Sequence, residues 1–105
     1  MRTEFPEFEA LLLACDPALT KFRGVGRGNY TVWTPYGEVP LLSDDRRREI
    51  ASKIQVDRFT KRDNDEIAST LYNALDAAEF VSFTYQLDYE PDTGYIHHIF
   101  DCEVL

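Results

Sequence analysis

The chain's two histidines stand side by side at His97 and His98, and the carboxylates that flank them are Asp88, Glu90, Asp92, Asp101 and Glu103. A His–Asp pair can serve as a general base, and carboxylates clustered at a turn can hold a hard cation. Adjacent residues of a strand point to opposite faces, so the two imidazoles do not share one metal. His98 is expected on an apolar face as a hydrogen-bonded core residue. His97 is expected opposite Asp88, and a small hydrolase or metal-dependent enzyme using His97, Asp88 and Glu90 is the enzymatic alternative. Asp88, Glu90 and Asp92 lack the twelve-residue ligand pattern of a calcium loop and its terminal Glu, which leaves a solvated turn. No nucleophile or further ligand is set nearby by spacing. The expectation is therefore no catalytic residue, no metal and no cofactor.

Gly24, Gly26 and Gly28 alternate, but no Lys-Ser/Thr follows and the next residues are β-formers. A phosphate cradle needs a helix N-terminus there, so the glycines read as relaxing a hairpin or bulge. Cys15 and Cys102 have neither CxxC nor Cys/His spacing and are expected as free thiols. Arg46, Arg47, Arg48, Lys53, Arg58, Lys61 and Arg62 form a basic stretch with few interleaved aromatics, expected to pair with the protein's own acids. Tyr30, Trp33 and Tyr36 lie in or beside turn-forming residues and would be interface anchors if exposed.

These residues must be placed by a small number of elements. Phe5, Phe8, Leu12 and Cys15 make one apolar stripe, predicting a helix over residues 4–15 ended by Asp16-Pro17. Residues 20–42 mix β-formers with Gly and Pro, predicting two or three short antiparallel strands. Ser43, Asp44 and Asp45 suit a helix start, and Ile50, Ala51 and Ile54 extend it into a short helix over residues 44–54. Residues 55–59 fit either helix or strand. Asp63 and Glu66 have capping-box spacing ahead of Ile67, Leu71, Ala74, Leu75 and Ala78, a helix running to residue 79.

The last 26 residues carry the sharpest structural signal. Val81, Phe83, Tyr85, Leu87 and Tyr89 alternate with polar residues, as do Ile96, His98, Phe100, Cys102 and Val104 across Pro91-Asp92-Thr93-Gly94. Pairing Glu90 with Tyr95 sets Tyr89 against Ile96, Leu87 against His98, Tyr85 against Phe100, Phe83 against Cys102 and Val81 against Val104. A shift by one residue would oppose apolar to polar throughout. The expected fold is α+β, a single small domain over residues 1–105. Its order is roughly α-β-β-(β)-α-α-β-β, an antiparallel sheet ending in a long C-terminal hairpin packed against helices.

The length of 105 residues suits one core, and no apolar run approaches the roughly 20 residues of a membrane span. Glu4, Glu7 and Glu9 so close to the start argue against a secretory leader, and a cytoplasmic location is expected. The net charge of −8 is unevenly spread: residues 63–105 hold ten Asp/Glu and no Lys or Arg, while residues 20–62 are net positive. A negative surface repels nucleic acid and membranes and attracts a basic protein. In size and charge alone, the chain resembles small bacterial immunity and antitoxin proteins and phage-encoded inhibitors. The leading expectation is a non-enzymatic, acidic inhibitor of the immunity or antitoxin type that occludes the active site of a basic nuclease toxin. Its partner-binding residues would be Asp76, Glu79, Asp88, Asp92, Asp101 and Glu103, with Tyr30, Trp33 and Tyr36 as aromatic anchors. A phage-type inhibitor that mimics nucleic acid to block a host defence nuclease is a close variant. Self-pairing through the hairpin edge, giving a homodimer, is a further reading.

Overall fold

The computed structural model describes residues 1–42 and 48–105. Helix α1 (Pro6–Cys15) is followed by β1 (Thr20–Lys21), β2 (Tyr30–Leu42), β3 (Arg48–Thr60), helix α2 (Glu66–Ala77), β4 (Val81–Glu90) and β5 (Tyr95–Val104). The strands form one five-stranded sheet in the order β1-β2-β3-β5-β4. β1 runs parallel to β2 and every other pair is antiparallel, so the sheet is mixed.

Both helices pack on the same face. Pro6 opens α1 in the first turn, where its missing N–H costs nothing, and the Asp16 N–H bonding to Leu12 C=O closes it. Phe5, Phe8 and Leu12 from this end of the chain meet Leu71 and Leu75 of α2 over Trp33, Ile54, Val56, Phe100, Cys102 and Val104. The strand residues of that set are linked in register, Trp33 to Val56 to Phe100 and Ile54 to Cys102, so they share one side of the sheet. Phe5 and Phe8 place their rings 6.4 and 6.0 Å from the Trp33 indole. Trp33 is 1% exposed and belongs to the core, which corrects its reading as a surface anchor.

The hairpin β4–β5 has the register read from its alternation, pair for pair, including Glu90 opposite Tyr95. Gly94 has φ +80° and closes the turn with its N–H on Glu90 C=O, a conformation that side chains rarely adopt. Three local expectations are corrected. Residues 48–54 are strand, not helix, and β3 continues through residues 55–59; residues 44–47 of the expected helix, and its expected cap Ser43, lie outside the described residues. The inward side of β3 reads Ser52, Ile54, Val56, Arg58, Thr60, all buried, and the charge of Arg58 breaks the hydrophobic alternation that marks a strand.

Residues 30–42 form a single 13-residue strand that passes through Pro35-Tyr36-Gly37 with a bulge instead of turning. The sheet tolerates Pro35 because Phe22 N–H bonds to Trp33 C=O; by alternation the Pro35 nitrogen faces that same outer side, beyond the end of β1. Finally, α2 is capped by Asp65, which accepts from Ala68 N–H at 2.9 Å, and not by Asp63.

Candidate partner-binding surface

The hairpin's apolar face is longer than what covers it. Ten residues of β4 extend about 33 Å, whereas the 12 residues of α2 extend about 18 Å. Val81 and Phe83 pack against the core, but beyond them Tyr85 is 41% exposed, Leu87 57% and Tyr89 60%. Tyr72 of α2 joins this strip, its ring edge-on to Tyr85 at 5.4 Å. Between the start of α2 and the strip lies a cavity of about 350 Å³, walled by Asp63, Asp65, Tyr72, Asn73, Tyr85 and His98 among others. The Tyr85 hydroxyl and His98 Nδ1 are hydrogen-bonded at 2.7 Å. Burial pushes the His98 imidazole below its ordinary pKa, with Arg58 and His97 adding to the effect and Asp65 opposing it.

Beneath this region is an ion cluster in which Arg58 pairs with the protein's own acids as expected, but buried on the inner side of a strand and not on a solvated helix face. Arg58 is 3% exposed and grips Asp65 with two nitrogens, Nε to Oδ2 at 2.8 Å and Nη2 to Oδ1 at 3.2 Å. Its Nη1 reaches Asp16 Oδ2 at 3.5 Å and Thr31 Oγ1 at 3.3 Å. The cluster ties the end of α1 to β3 and to the cap of α2. Burial raises the Asp65 pKa, but bonds from Arg58 and the Ala68 N–H outweigh it and hold the carboxyl below its ordinary value.

Among the described residues, no helix covers the other face of the sheet. Tyr30, Phe59 and His97 stack across three strands with centroid separations of 4.8 and 4.1 Å. His97 does lie opposite Asp88 in register, yet its Nε2 bonds Asp57 Oδ1 at 2.7 Å, while Asp88 Oδ1 accepts from the Tyr89 N–H. The imidazole is thus held by a carboxylate of β3, from the stretch 55–59 that the sequence left open between helix and strand. Among the described residues no group of three or more His, Cys, Asp or Glu is placed to hold a metal ion.

The expected acidic residues fall into two groups. Asp76 and Glu79 lie on and just after the last turn of α2, and Glu79 and Glu103 line one shallow cleft beside Val81 and Ser82. Asp101 and Glu103 share Lys53, at 3.8 and 3.4 Å, and Asp101 also accepts from the Tyr36 hydroxyl at 2.5 Å. Asp88 and Asp92 are at the far end of the hairpin, about 20 Å along β4 from its start, and both are exposed. Tyr36 is exposed on the uncovered face and Tyr30 is half-buried in the stack. Cys15 and Cys102 are both free. Of the basic stretch, Lys53 and Arg58 pair with the protein's own acids. Arg46 and Arg47 lie outside the described residues.

No protein-family model matches this sequence, and no curated protein is similar to it. Among solved structures, the chain is similar to one from the virion of a native gene transfer agent particle, with a TM-score of 0.62 at 14% identity. The match covers 90% of this chain and 83% of that one. The likeness is one of fold. No helix among the described residues is long and apolar enough to cross a membrane.

Proposed function

We propose that this protein is a non-enzymatic, protein-binding subunit of a virion-like particle, made in the cytoplasm and joined to a basic protein through its C-terminal hairpin. The observation that carries the reading is the pairing of exposed Tyr85, Leu87 and Tyr89 with a segment that holds ten acids and no Lys or Arg. These exposed side chains supply contact area, and the negative charge that remains after Arg58 meets Asp65 and Lys53 meets Asp101 and Glu103 steers a cationic partner. The shared fold with a chain from a gene transfer agent virion favours a structural place over a catalytic one. His97 is held by Asp57 within the Tyr30–Phe59–His97 stack, whereas the enzymatic alternative paired it with Asp88, which instead accepts from the Tyr89 N–H.

The test is to fractionate particles from the producing cells on a density gradient and to detect this chain by mass spectrometry. It is expected to co-sediment with particles, and Asp88→Lys/Asp92→Lys is expected to leave it in the free fraction. Recovery of the wild-type chain only as free protein would end this reading.

A second reading keeps the surface and changes the partner: an immunity- or antitoxin-type inhibitor of a basic nuclease. The same cation-free segment favours it. Inhibition of a nuclease by the purified chain, with association slowing as salt rises, would support it over the particle reading.

A further inference from the structure

The two edges of the sheet are unequal. Beyond β1, the outer side of β2 is interrupted by Pro35, the bulge before Gly37, and Pro40, devices that discourage another strand from pairing. The opposite edge, β4, runs ten residues without Pro, Gly, Lys, Arg or a bulge. Its free groups follow from the ladder. Leu105 N–H bonds Phe80 C=O, so even-numbered residues of β4 turn their N–H and C=O toward β5, and odd-numbered residues turn theirs outward. Val81 N–H is taken by Ala78 C=O and Tyr89 N–H by Asp88. Phe83, Tyr85 and Leu87 remain, each with an outward donor and acceptor, and their side chains lie on the helix-bearing face beside the cavity.

We propose that the β4 edge receives an extended, cationic segment of the partner as a sixth strand, with one Arg or Lys side chain entering the cavity at Tyr72 and Tyr85. This rests on the protein-binding reading above and names the chemistry of the partner. Charge complementarity selects the occupant. Every residue lining the cavity belongs to the stretch that lacks Lys and Arg. Arg58, opposite His98 in register, is already held by Asp65 and Asp16. Two tyrosine rings supply faces for a cation, and Asp63 and Asn73 supply acceptors at the rim. Strand addition contributes main-chain bonds, while side chains on alternate positions confer selectivity. A second copy of this chain is the poorer occupant, because each copy has a net charge of −8 and β4 contributes Asp88 and Glu90 with no cation.

The probe is the peptide acetyl-Val-Thr-Arg-Thr-Val-amide, which places Val, Arg and Val on one face of a strand. It is titrated into the ¹⁵N-labelled full chain and followed by NMR. Saturable shifts in the millimolar range are expected at the amides of Phe83, Tyr85 and Leu87 and at the His98 ring. Replacing the peptide's Arg by norleucine is expected to weaken binding about fivefold, the effect of one cation against aromatic walls. Leu87→Pro removes an outward donor without touching the β5 ladder and should abolish the shifts; Leu87→Lys, which keeps the backbone donor, should weaken them by charge.

No saturable shift, shifts confined to the helix-free face, or equal binding of the norleucine peptide would overturn the proposal. So would concentration-dependent dimerisation that protects the Phe83, Tyr85 and Leu87 amides, which would assign the edge to a second copy. Because the peptide test does not use particles, its failure leaves the fractionation result standing on its own.

Discussion

Replacing Arg58 by methionine keeps most of the side chain's volume and deletes its charge. In the native structure Asp65 and Asp16 have side chains only 5% and 6% exposed, and Arg58 is the cation that each of them meets. The variant strands two carboxylates in a region walled by Thr31, the cap of α2 and the sheet. Removing one partner from a buried ionic cluster typically costs about 3–5 kcal/mol, chiefly because the remaining charge is left uncompensated. A domain of this size is stable by only about 5–15 kcal/mol, so the loss is a large share of the whole. At about 4–8 °C per kcal/mol, the melting temperature should fall by about 12–40 °C. Urea unfolding followed by circular dichroism gives the free energy directly.

The second arm of the experiment separates this account from simple loss of packing. Arg58→Met combined with Asp65→Asn removes the cation and the principal buried anion together, and asparagine still caps α2 at the Ala68 N–H. The double variant should recover at least about 1.5 kcal/mol relative to Arg58→Met alone. The reasoning also has a pH signature. The folded Asp65 pKa lies below its ordinary value of 3.8, so its contribution is complete above that pH and is lost as pH falls through the folded value. Arg58→Met should therefore lose the wild type's extra acid sensitivity below about pH 4. A single-variant cost under about 1 kcal/mol, or a double variant no more stable than the single, would show that the cluster does not hold these elements together.

Two further outcomes follow from the same kind of argument. His98 has a folded pKa below its ordinary 6.5, so the unfolded chain takes up its proton first as pH falls; stability should decline below about pH 6.5, and His98→Phe should flatten that decline, whereas an unchanged slope in urea midpoints would assign it elsewhere. Burial, reinforced by Asp101, pushes the Cys102 thiol up to about 12, so a thiol reagent near pH 8 should modify half-buried Cys15 long before Cys102, and stability should fall as pH rises past 9 while the unfolded thiol ionises; equal labelling rates would contradict that burial.

The terminal hairpin was legible because its signal is redundant: ten alternating positions and a Pro-Asp-Thr-Gly turn all specify one register, and α1 and α2 were legible from single apolar stripes. β3 was not, for a reason visible at two positions. Ile50 and Ile54 are spaced for a helix, and the inward alternation that would have revealed a strand includes Arg58, whose charge is met by Asp16 from 42 residues earlier and by Asp65 at the cap of the following helix, contacts that no local pattern announces. With β3 unread, Asp57 was missed as the partner of His97, and the His97–Asp88 register looked more chemical than it is. The exposed strip was hidden differently. Alternation tells which side of a strand is apolar, but how much of that side is covered depends on the helix packed over it. The lengths of α2 and β4 could have raised the question from sequence alone, since 12 helical residues span about half of a ten-residue strand.

An unguarded edge strand ordinarily carries a lysine, a proline or a bulge to stop copies of the protein from pairing with each other. β4 has none of these, and the acids along the hairpin supply another means. Asp88 and Glu90 sit on β4 itself, Asp92 is in its turn, and no cation occurs from residue 63 onward, so two such edges brought together repel. Asp88 also occupies the Tyr89 N–H, ending the free ladder after Leu87. A lysine guard would repel basic strands as well as like copies. Acids discriminate: they discourage the protein's own negative edge and leave the same backbone groups open to a positive one. The charge imbalance and the bare edge therefore act together, and replacing Asp88 and Glu90 by Asn and Gln is expected to admit self-pairing at the expense of selectivity, read as concentration-dependent dimerisation in sedimentation that the wild type does not show.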